Sequence, residues 1–464
     1  MWRQTDCASY ALNYYQNKNS FFQPQIMSRI PENGYSVSEF PIIYYFAGKL
    51  YSWFGFHDYY IRMIDFFIFI IGLIYLTLIS SLYLKNKFLQ LVPAIFTLGS
   101  PYIFFYSANF LPDVPALCFG FAGLFHFLLF IKQDSKMHLI ISAFFFTLAA
   151  LLKITSGIMW VACIIYFLQI QIKKSEKRYL KKSIAPIFIF IISWGLIYSW
   201  ISFAKNYNEI HHYYGNLLGF FGIWDADQKE IIGIISWFFH FWLLHIFSIS
   251  TLILFIISFF CFFVKRKMIP HELQAISLLS FIGVHLYSLG WFQAFLVHDY
   301  YMINIFCFPV LFILCFCILV EQINFNKQKS KILILTFLII DLGWGIKHSA
   351  RIQELRYTDS QFQPMPKAMY EIAPYLRSIG IKNQEVVLSA PDPSPNMSLY
   401  LMNCVGLTDG YYSDENQKNV FDNSGAKYVI VHDTSNIISS GFKNYYKSKI
   451  PIANYKGILI YKLN

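Results

Sequence analysis

The sequence predicts a polytopic α-helical membrane protein with a small α/β domain at its C-terminal end. Hydrophobic residues make up 56% of the 464 residues and charged residues only 14%, so a soluble globule of this length could not bury its apolar surface. Apolar segments near the roughly 20 residues that a spanning helix needs recur from Ile61 to Ile346. After that point, short apolar runs alternate with turns, which is typical of strands.

Hydropathy divides residues 61–346 into about ten predicted spans. Most approach the length of a spanning helix, whereas the two on either side of Lys153 are short. In chain order, the predicted spans are 61–84, 88–106, 115–131, 139–152, 154–170, 184–203, 248–264, 273–290, 301–320 and 332–346. Lys153 is therefore unusual, because it interrupts an otherwise apolar stretch.

Basic residues in short loops predict the orientation, because Lys and Arg are retained on the cytoplasmic side during insertion. If the spans alternate, five basic loops fall on one side, and residues 1–60 and 347–464 fall on the other. The loops contain Lys85 and Lys87, Lys132 and Lys136, the run from Lys173 to Lys182, Lys265 to Lys267, and Lys327 to Lys331. This topology largely explains the net charge of +11. We expect membrane lipids and no nucleic acid as partners, since the basic residues form no binding motif.

The two flanking regions differ in kind. Residues 1–60 form a predicted first extracytoplasmic loop, and we expect a transmembrane helix upstream of it, because no apolar segment precedes Met1 to carry it across. Residues 347–464 form a predicted extracytoplasmic α/β domain. Its predicted strands are EVVLSA, AKYVIVHD and KGILIYKLN, and its predicted helix is 369–379.

Five motifs carry a family resemblance. In chain order they are WRQTDCASYALNYYQ, SEFPIIYYFAGKLYSWFG, NFLPDVPALCFGFAGLFHF, LAALLKITSG and HDYYMINIFCFP. Together they resemble bacterial members of glycosyltransferase family 39, relatives of protein mannosyltransferases and of the lipid A aminoarabinose transferase, which have the GT-C membrane fold. The resemblance implies an enzyme of the bacterial cytoplasmic membrane. Such an enzyme passes a sugar, with inversion, from a polyprenyl-phosphate donor to an extracytoplasmic lipid, glycan or protein acceptor.

Two aspartates are the candidate catalytic residues. The resemblance implies a key acid in the first outer loop, where Asp6 lies. A carboxylate that accepts the proton of an acceptor hydroxyl accelerates transfer by about 10²–10⁴. Asp113 would orient the acceptor or the base, or hold a divalent metal ion together with Asp6, and no other cofactor is expected. The alternative for both residues is a helix cap, for Asp6 at the start of CASYALNYY.

The departing polyprenyl phosphate needs positive charge and hydrogen-bond donors, because it leaves as an anion. The candidates for phosphate binding are Arg3, Lys153, His298 and Tyr300. Glu39 and Asp299 are candidates for acceptor or supporting contacts. A lysine that snorkels from a helix end and an interfacial tyrosine belt are the alternatives for Lys153 and Tyr300.

A transporter or lipid-linked sugar flippase is the competing class, because many spans would suit it equally well. Transporters tend to place charges at mid-membrane on broken helices. Here the acids lie at predicted outer ends of spans, and an outer domain follows. The sequence therefore favours the transferase.

Overall fold

The computed structural model describes residues 2–173, 177–213, 219–296, 298–322, 328–359, 365–410, 421–437 and 441–463. The helices of this part of the chain are α1 (Trp2–Gln16), α2 (Ile42–Phe54), α3 (Tyr59–Ser81), α4 (Lys87–Leu98), α5 (Pro101–Tyr106), α6 (Asp113–Gln133), α7 (Lys136–Leu152), α8 (Ile158–Lys173), α9 (Lys177–Ile210), α10 (Gln228–Trp237), α11 (Leu243–Ile246), α12 (Ile249–Val264), α13 (His271–Gly290), α14 (Cys307–Gln322), α15 (Gln328–Thr358), α16 (Ile372–Ser378) and α17 (Met397–Met402). The chain forms two compact units. The helical unit comprises Arg62–Ile201 and Gly219–Glu354, and the sheet-containing unit comprises Met1–Ile61, Ser202–Leu218 and Leu355–Asn464.

The apolar helices make this a multi-pass membrane protein. Within the described residues, seven helices are long and apolar enough to cross a membrane: Tyr59–Ser81, Asp113–Gln133, Ile154–Lys173, Ile184–Ile210, Gln228–Ile246, His271–Gly290 and Asp299–Gln322. Three shorter apolar helices are Lys87–Leu98, Lys136–Leu152 and Ile249–Val264. Large side chains such as Phe67, Ile74 and Phe260 are exposed on these helices, as expected for surfaces that face lipid.

One apolar helix lies outside the predicted spans. Gln228–Ile246 is long enough to cross a membrane, and it begins with a capping box between Asp227 and Glu230. Its hydropathy is reduced by polar residues such as His240 and His245, which is why the sequence analysis missed it. Residues 1–60, predicted as a loop, also contain two helices, α1 and α2.

Breaks between helices position several candidate residues of the helical unit. Asp113 is the first residue of α6. Lys153 follows α7 with an extended backbone, φ −152° and ψ 111°, before a 3₁₀ turn at Ile154–Gly157. His298 precedes the 3₁₀ segment Asp299–Phe306, which leads into α14. The predicted interruption at Lys153 is therefore a true helix end.

The C-terminal part of the chain contains a five-stranded mixed sheet with strand order β2-β1-β3-β5-β4. The strands are β1 (Val386–Ala390), β2 (Val405–Thr408), β3 (Tyr428–Val431), β4 (Ala453–Tyr455) and β5 (Ile458–Lys462). β1 is parallel to β2 and β3, whereas β5 is antiparallel to β3 and β4. Buried Leu388, Val429 and Phe442 belong to the core of the sheet. The three predicted strands are confirmed as β1, β3 and β5, and the predicted helix contains α16.

The edge strand β2 is covered by the N-terminal segment of the same unit. Ser28 and Gly406 form a parallel bridge, with Arg29 N donating to Gly406 O at 2.7 Å and Gly406 N to Met27 O at 3.2 Å. Gly406 has φ +145°, and a Cβ there would lie 1.8 Å from the carbonyl oxygen of Val387, so a side chain does not fit. This pairing satisfies a strand edge and ties the start of the chain to its C-terminal domain.

Candidate active site

The Asp6 cluster consists of Arg3, Asp6, Ser38, Glu39 and Asn396, all in the sheet-containing unit. Arg3 and Asp6 lie one turn apart on α1 and share a helix face, with Arg3 Nη1 3.7 Å from Asp6 Oδ2. Arg3 Nη2 also donates to Ser38 Oγ at 2.6 Å and to Glu39 Oε2. The guanidinium therefore bridges two carboxylates from different segments.

Asn396 is the member of this cluster that the sequence analysis missed. Its side-chain Nδ2 donates to Asp6 Oδ1 at 2.8 Å, and its Oδ1 accepts from the backbone N–H of Ser28 at 2.7 Å. The residue is fully buried. The sequence does not single it out, because no local pattern reveals a contact with a residue 390 positions earlier.

These contacts act on the ionisation of Asp6. Burial raises the pKa of Asp6, and the nearby Glu39 charge adds to that increase, whereas the Arg3 guanidinium and the Asn396 amide oppose it. The side chain keeps 17% exposure, so water or a substrate can reach it. Because α1 begins at Trp2, Asp6 lies inside the helix, and the alternative of an N-cap is wrong.

The Lys153 cluster consists of Asp113, Lys153, Tyr300 and Tyr301, all in the helical unit. Lys153 Nζ lies 3.0 Å from Asp113 Oδ1, and the two side chains are only 9% and 1% exposed. The same ammonium lies 4.9 Å from the ring centre of Tyr300 and 4.5 Å from that of Tyr301. A snorkelling lysine would reach water, whereas this one is buried in an ion pair beneath two aromatic rings.

The other two residues of the HDYY motif differ in their contacts, because His298 extends this cluster whereas Asp299 pairs with Tyr106. The His298 ring lies 5.4 Å from the Tyr300 ring and 5.5 Å from the Tyr301 ring. Asp299 Oδ1 accepts a hydrogen bond from the Tyr106 hydroxyl at 2.7 Å. Tyr106, at the end of α5, was missed because α5 lies within one predicted span that the structure divides into two helices.

Asp65 is a further buried acid that the sequence analysis did not single out. It lies on α3 with 0% exposure, and its carboxyl oxygens have no hydrogen-bond partner in the described part of the chain. It is near enough to Asp113 for their charges to interact. Among the described residues, no group of three or more His, Cys, Asp or Glu side chains could hold a metal ion. The metal ion shared by Asp6 and Asp113 stays a prediction.

The structure thus brings the predicted site residues together in two groups. Arg3, Asp6 and Glu39 form one, and Asp113, Lys153, His298 and Tyr300 form the other. Asp299 is adjacent to this second group in the chain and accepts from Tyr106. Their catalytic and binding roles stay predictions. The fold is of the GT-C glycosyltransferase type, as the sequence predicted. It combines a multi-pass helical membrane part with a small C-terminal β-sheet.

Comparisons with known proteins agree with this fold. The family model of dolichyl-phosphate-mannose-protein mannosyltransferases matches residues 38–199, a segment that includes Glu39, Asp113 and Lys153. ArnT from Cupriavidus metallidurans in the apo state matches with a TM-score of 0.64 and 8% identity over 99% of this chain and 93% of ArnT. ArnT bound to undecaprenyl phosphate matches with a TM-score of 0.64 and 9% identity over the same 99% and 93%. The predicted resemblance is therefore confirmed.

Arabinofuranosyltransferase AftD from Mycobacteria matches with a lower TM-score of 0.48 and 11% identity, over 99% of this chain and 38% of AftD. No curated protein sequence matches the chain. At 8% and 9% identity, the likeness to ArnT establishes the fold and leaves the donor and the acceptor to be argued from the residues.

Proposed function

We propose that the protein is an inverting membrane glycosyltransferase that moves a sugar from a polyprenyl-phosphate donor to an extracytoplasmic lipid, glycan or protein acceptor. The observation that carries this proposal is the Asp6 cluster, in which a mostly buried carboxylate is held by a guanidinium and an amide. The mannosyltransferase family match and the fold shared with ArnT bound to undecaprenyl phosphate support a lipid-phosphate donor. We place the enzyme in the bacterial cytoplasmic membrane, with its active side outside the cytoplasm.

In this proposal Asp6 is the general base. Its carboxylate accepts the proton of the acceptor hydroxyl while the hydroxyl oxygen bonds to the anomeric carbon. The bond from that carbon to the phosphate oxygen breaks, and polyprenyl phosphate leaves with the electron pair. A single displacement inverts the configuration at the anomeric carbon. Burial favours this role because it makes the Asp6 carboxylate more basic, while Arg3 and Asn396 keep the ionised form accessible.

Lys153 is proposed to bind the donor phosphate. An ammonium that is 9% exposed interacts with an anion more strongly than one in water, because solvent screens it less. Asp113 and the rings of Tyr300 and Tyr301 hold the ammonium in place. We propose His298 and the Tyr300 hydroxyl as further phosphate contacts, with Asp299 supporting this segment.

Arg3 was predicted as another phosphate contact. Its bonds to Ser38 and Glu39 and its 3.7 Å distance from Asp6 favour a role in balancing the charge of the proposed base. Glu39 is then a supporting residue. It pairs with Arg3 and in this way affects the base that accepts the proton of the acceptor.

The test is sugar transfer by the full chain in membranes. The donors are undecaprenyl phosphates that carry radiolabelled mannose, arabinose or aminoarabinose, and the variant is Asp6→Asn at equal expression. We expect Asp6→Asn to lower transfer by about 10² or more, because the general base is lost. The control is Asp58→Asn, which changes an acid of the same unit that accepts from the Tyr400 hydroxyl at 2.5 Å; it should retain transfer.

Either contrary result is informative. Transfer that persists in Asp6→Asn would remove Asp6 from the role of base. If folded wild-type protein turns over no donor but moves intact lipid-linked sugar across vesicle membranes, the protein is a flippase and the proposal is wrong.

A further inference from the structure

Asn396 connects the C-terminal domain directly to the proposed base. The Ser28 N–H, 2.7 Å away, requires an oxygen at the accepting end of the Asn396 side chain. The Asp6 carboxylate, 2.8 Å away, requires an N–H at the other end. Both contacts are therefore satisfied by one and the same orientation of the amide, with its oxygen toward Ser28 and its NH₂ toward Asp6.

The loop that carries Asn396 is fixed by a buried hydrogen-bond network. The carboxylate of Asp392 accepts from Ser394 N at 2.8 Å, from Ser394 Oγ at 2.7 Å and from Ser398 N at 2.7 Å. Asp409 Oδ1 accepts from Asp392 N at 2.7 Å, and Thr408 Oγ1 donates to Ser394 O at 2.6 Å. All five residues are fully buried. A loop held in this way presents the amide in one position.

The position of the loop in the fold also favours a functional role. It follows the carboxyl end of β1, which lies between its parallel neighbours β2 and β3. Loops at the carboxyl ends of parallel strands are where α/β sheets usually place their binding residues. Here the loop places a buried amide against a carboxylate of α1.

We propose that Asn396 is a positioning residue for the base, through which the C-terminal domain orients the Asp6 carboxylate and donates a hydrogen bond to its ionised form. A bond from a neutral donor to a carboxylate is charge-assisted and favours the ionised state. This inference rests on the proposed role of Asp6 as the general base. It makes the C-terminal domain part of the catalytic machinery.

The groups around Asp6 allow a pH profile to report on this contact. The titratable groups that interact with Asp6 or with its partner Arg3 are Cys7 and Tyr10 on α1, Glu39 before α2, and Tyr44 on α2. Burial raises the pKa of Cys7 and of Tyr44, and it raises the pKa of Tyr10 to about 12. The thiol and the phenols stay protonated at acidic pH. The loss of activity as the pH falls, called the acidic limb here, therefore follows protonation of the carboxyl groups.

The experiment compares Asn396→Asp with Asn396→Ala by measuring kcat/KM against pH, with labelled undecaprenyl-phosphate sugar as the donor. Asn396→Asp is isosteric and can still accept from Ser28, but it places a second carboxylate beside Asp6. Two carboxylates in contact cannot both ionise readily, so we expect the acidic limb to move up by about 1–3 pH units. Asn396→Ala removes the donor to Asp6 and the acceptor for the Ser28 N–H, but it adds no charge and should move the limb in the same direction by less.

The matched control is Asn403→Gly. Asn403 also connects the C-terminal domain to α1, through a 3.0 Å bond from Gln16, and its φ of +49° is one that glycine adopts without strain. The acidic limb should not move in this variant. Binding of undecaprenyl phosphate, measured in every variant, verifies that the protein is folded.

Two failures are distinguishable. If Asn396→Asp and Asn396→Ala lower the rate equally at all pH values and leave the limb in place, Asn396 has only a structural role and the inference is wrong, even where Asp6→Asn is inactive. If Asp6→Asn remains active, the proposed base is wrong, and the role of Asn396 falls with it.

Discussion

The Asp6 cluster and the Lys153 cluster both place a carboxylate beside a cation, but they differ in how tightly the charges are held. Asp113 and Lys153 are in direct contact at 3.0 Å, with 1% and 9% exposure. Asp6 lies 3.7 Å from Arg3, a cation that it shares with Glu39, and both side chains of this pair are 16–17% exposed. The first pair is almost fully buried, whereas the second leaves a carboxylate exposed enough to accept a proton from a substrate.

This difference indicates separate chemical tasks. A buried ion pair is costly to disturb, because loss of one partner leaves the other charge unpaired in a medium of low polarity. A carboxylate whose cation is shared can be protonated without leaving that cation without a partner. We therefore propose anion binding for the Lys153 cluster and proton transfer for the Asp6 cluster, and substitutions test each proposal.

The largest effect is expected for Lys153→Met. The substitution leaves Asp113 buried without its 3.0 Å cation, which should destabilise the protein by about 3–5 kcal/mol. Binding of undecaprenyl phosphate should also be lost, because the proposed phosphate ligand is gone. The measurements are apparent Tm in detergent and binding of labelled undecaprenyl phosphate.

A double variant separates these two effects. Lys153→Met combined with Asp113→Leu removes both charges, and replacement of a whole buried pair by apolar residues is often neutral for stability. We expect Tm to recover while phosphate binding stays lost. Recovery of binding together with stability would mean that Lys153 has a structural role only.

A smaller effect is expected in the Asp6 cluster, where substitutions of Arg3 and Glu39 should shift the pH dependence of transfer in opposite directions. Arg3 lowers the pKa of Asp6 and Glu39 raises it. Arg3→Met should therefore move the acidic limb of kcat/KM to higher pH, by about 1 unit or more. Glu39→Gln should move it to lower pH, because Asp6 loses a neighbouring negative charge and keeps the full attraction of Arg3.

The measurement is kcat/KM for sugar transfer against pH, made for both variants in the same membrane preparation. Shifts in the same direction, or none, would show that the limb reports a group other than Asp6. Asp58→Asn serves again as the control, since its contact with Tyr400 lies outside the cluster.

Local sequence patterns predicted those parts of the fold that depend on local composition. Continuous apolar runs marked most membrane helices, and the β-branched runs around Val387, Val429 and Ile460 marked three strands. The helix at Gln228–Ile246 was not predicted, because its polar residues lower the hydropathy of the segment. β4 was not predicted, because it is only three residues long.

The candidate site also shows that local sequence patterns do not predict residues whose contacts depend on tertiary structure. The family resemblance implied Asp6 as the key acid, and Lys153 was conspicuous as a charge in an apolar stretch; the roles of both stay predictions. Asn396 was not found, because its role depends on tertiary pairing between the N-terminal segment and the edge strand β2, for instance at Ser28 and Gly406. A neutral amide in a turn gives no signal until that pairing is seen.

The smallest effect is expected at the aromatic rings of the Lys153 cluster. Tyr300→Leu and Tyr301→Leu each remove a ring whose centre lies within 4.9 Å of the Lys153 ammonium. A cation–π contact contributes about 0.5–1 kcal/mol at an exposed site and about 2 kcal/mol when desolvated. Because the rings contact the ammonium with and without the donor, only part of this energy, about 0.5–1 kcal/mol, should affect binding of undecaprenyl phosphate, which should weaken by about 2- to 5-fold. Tyr301→Phe keeps the ring and should bind like the wild type. If Tyr300→Phe is impaired as much as Tyr300→Leu, the Tyr300 hydroxyl rather than its ring supports donor binding, as its proposed phosphate contact requires.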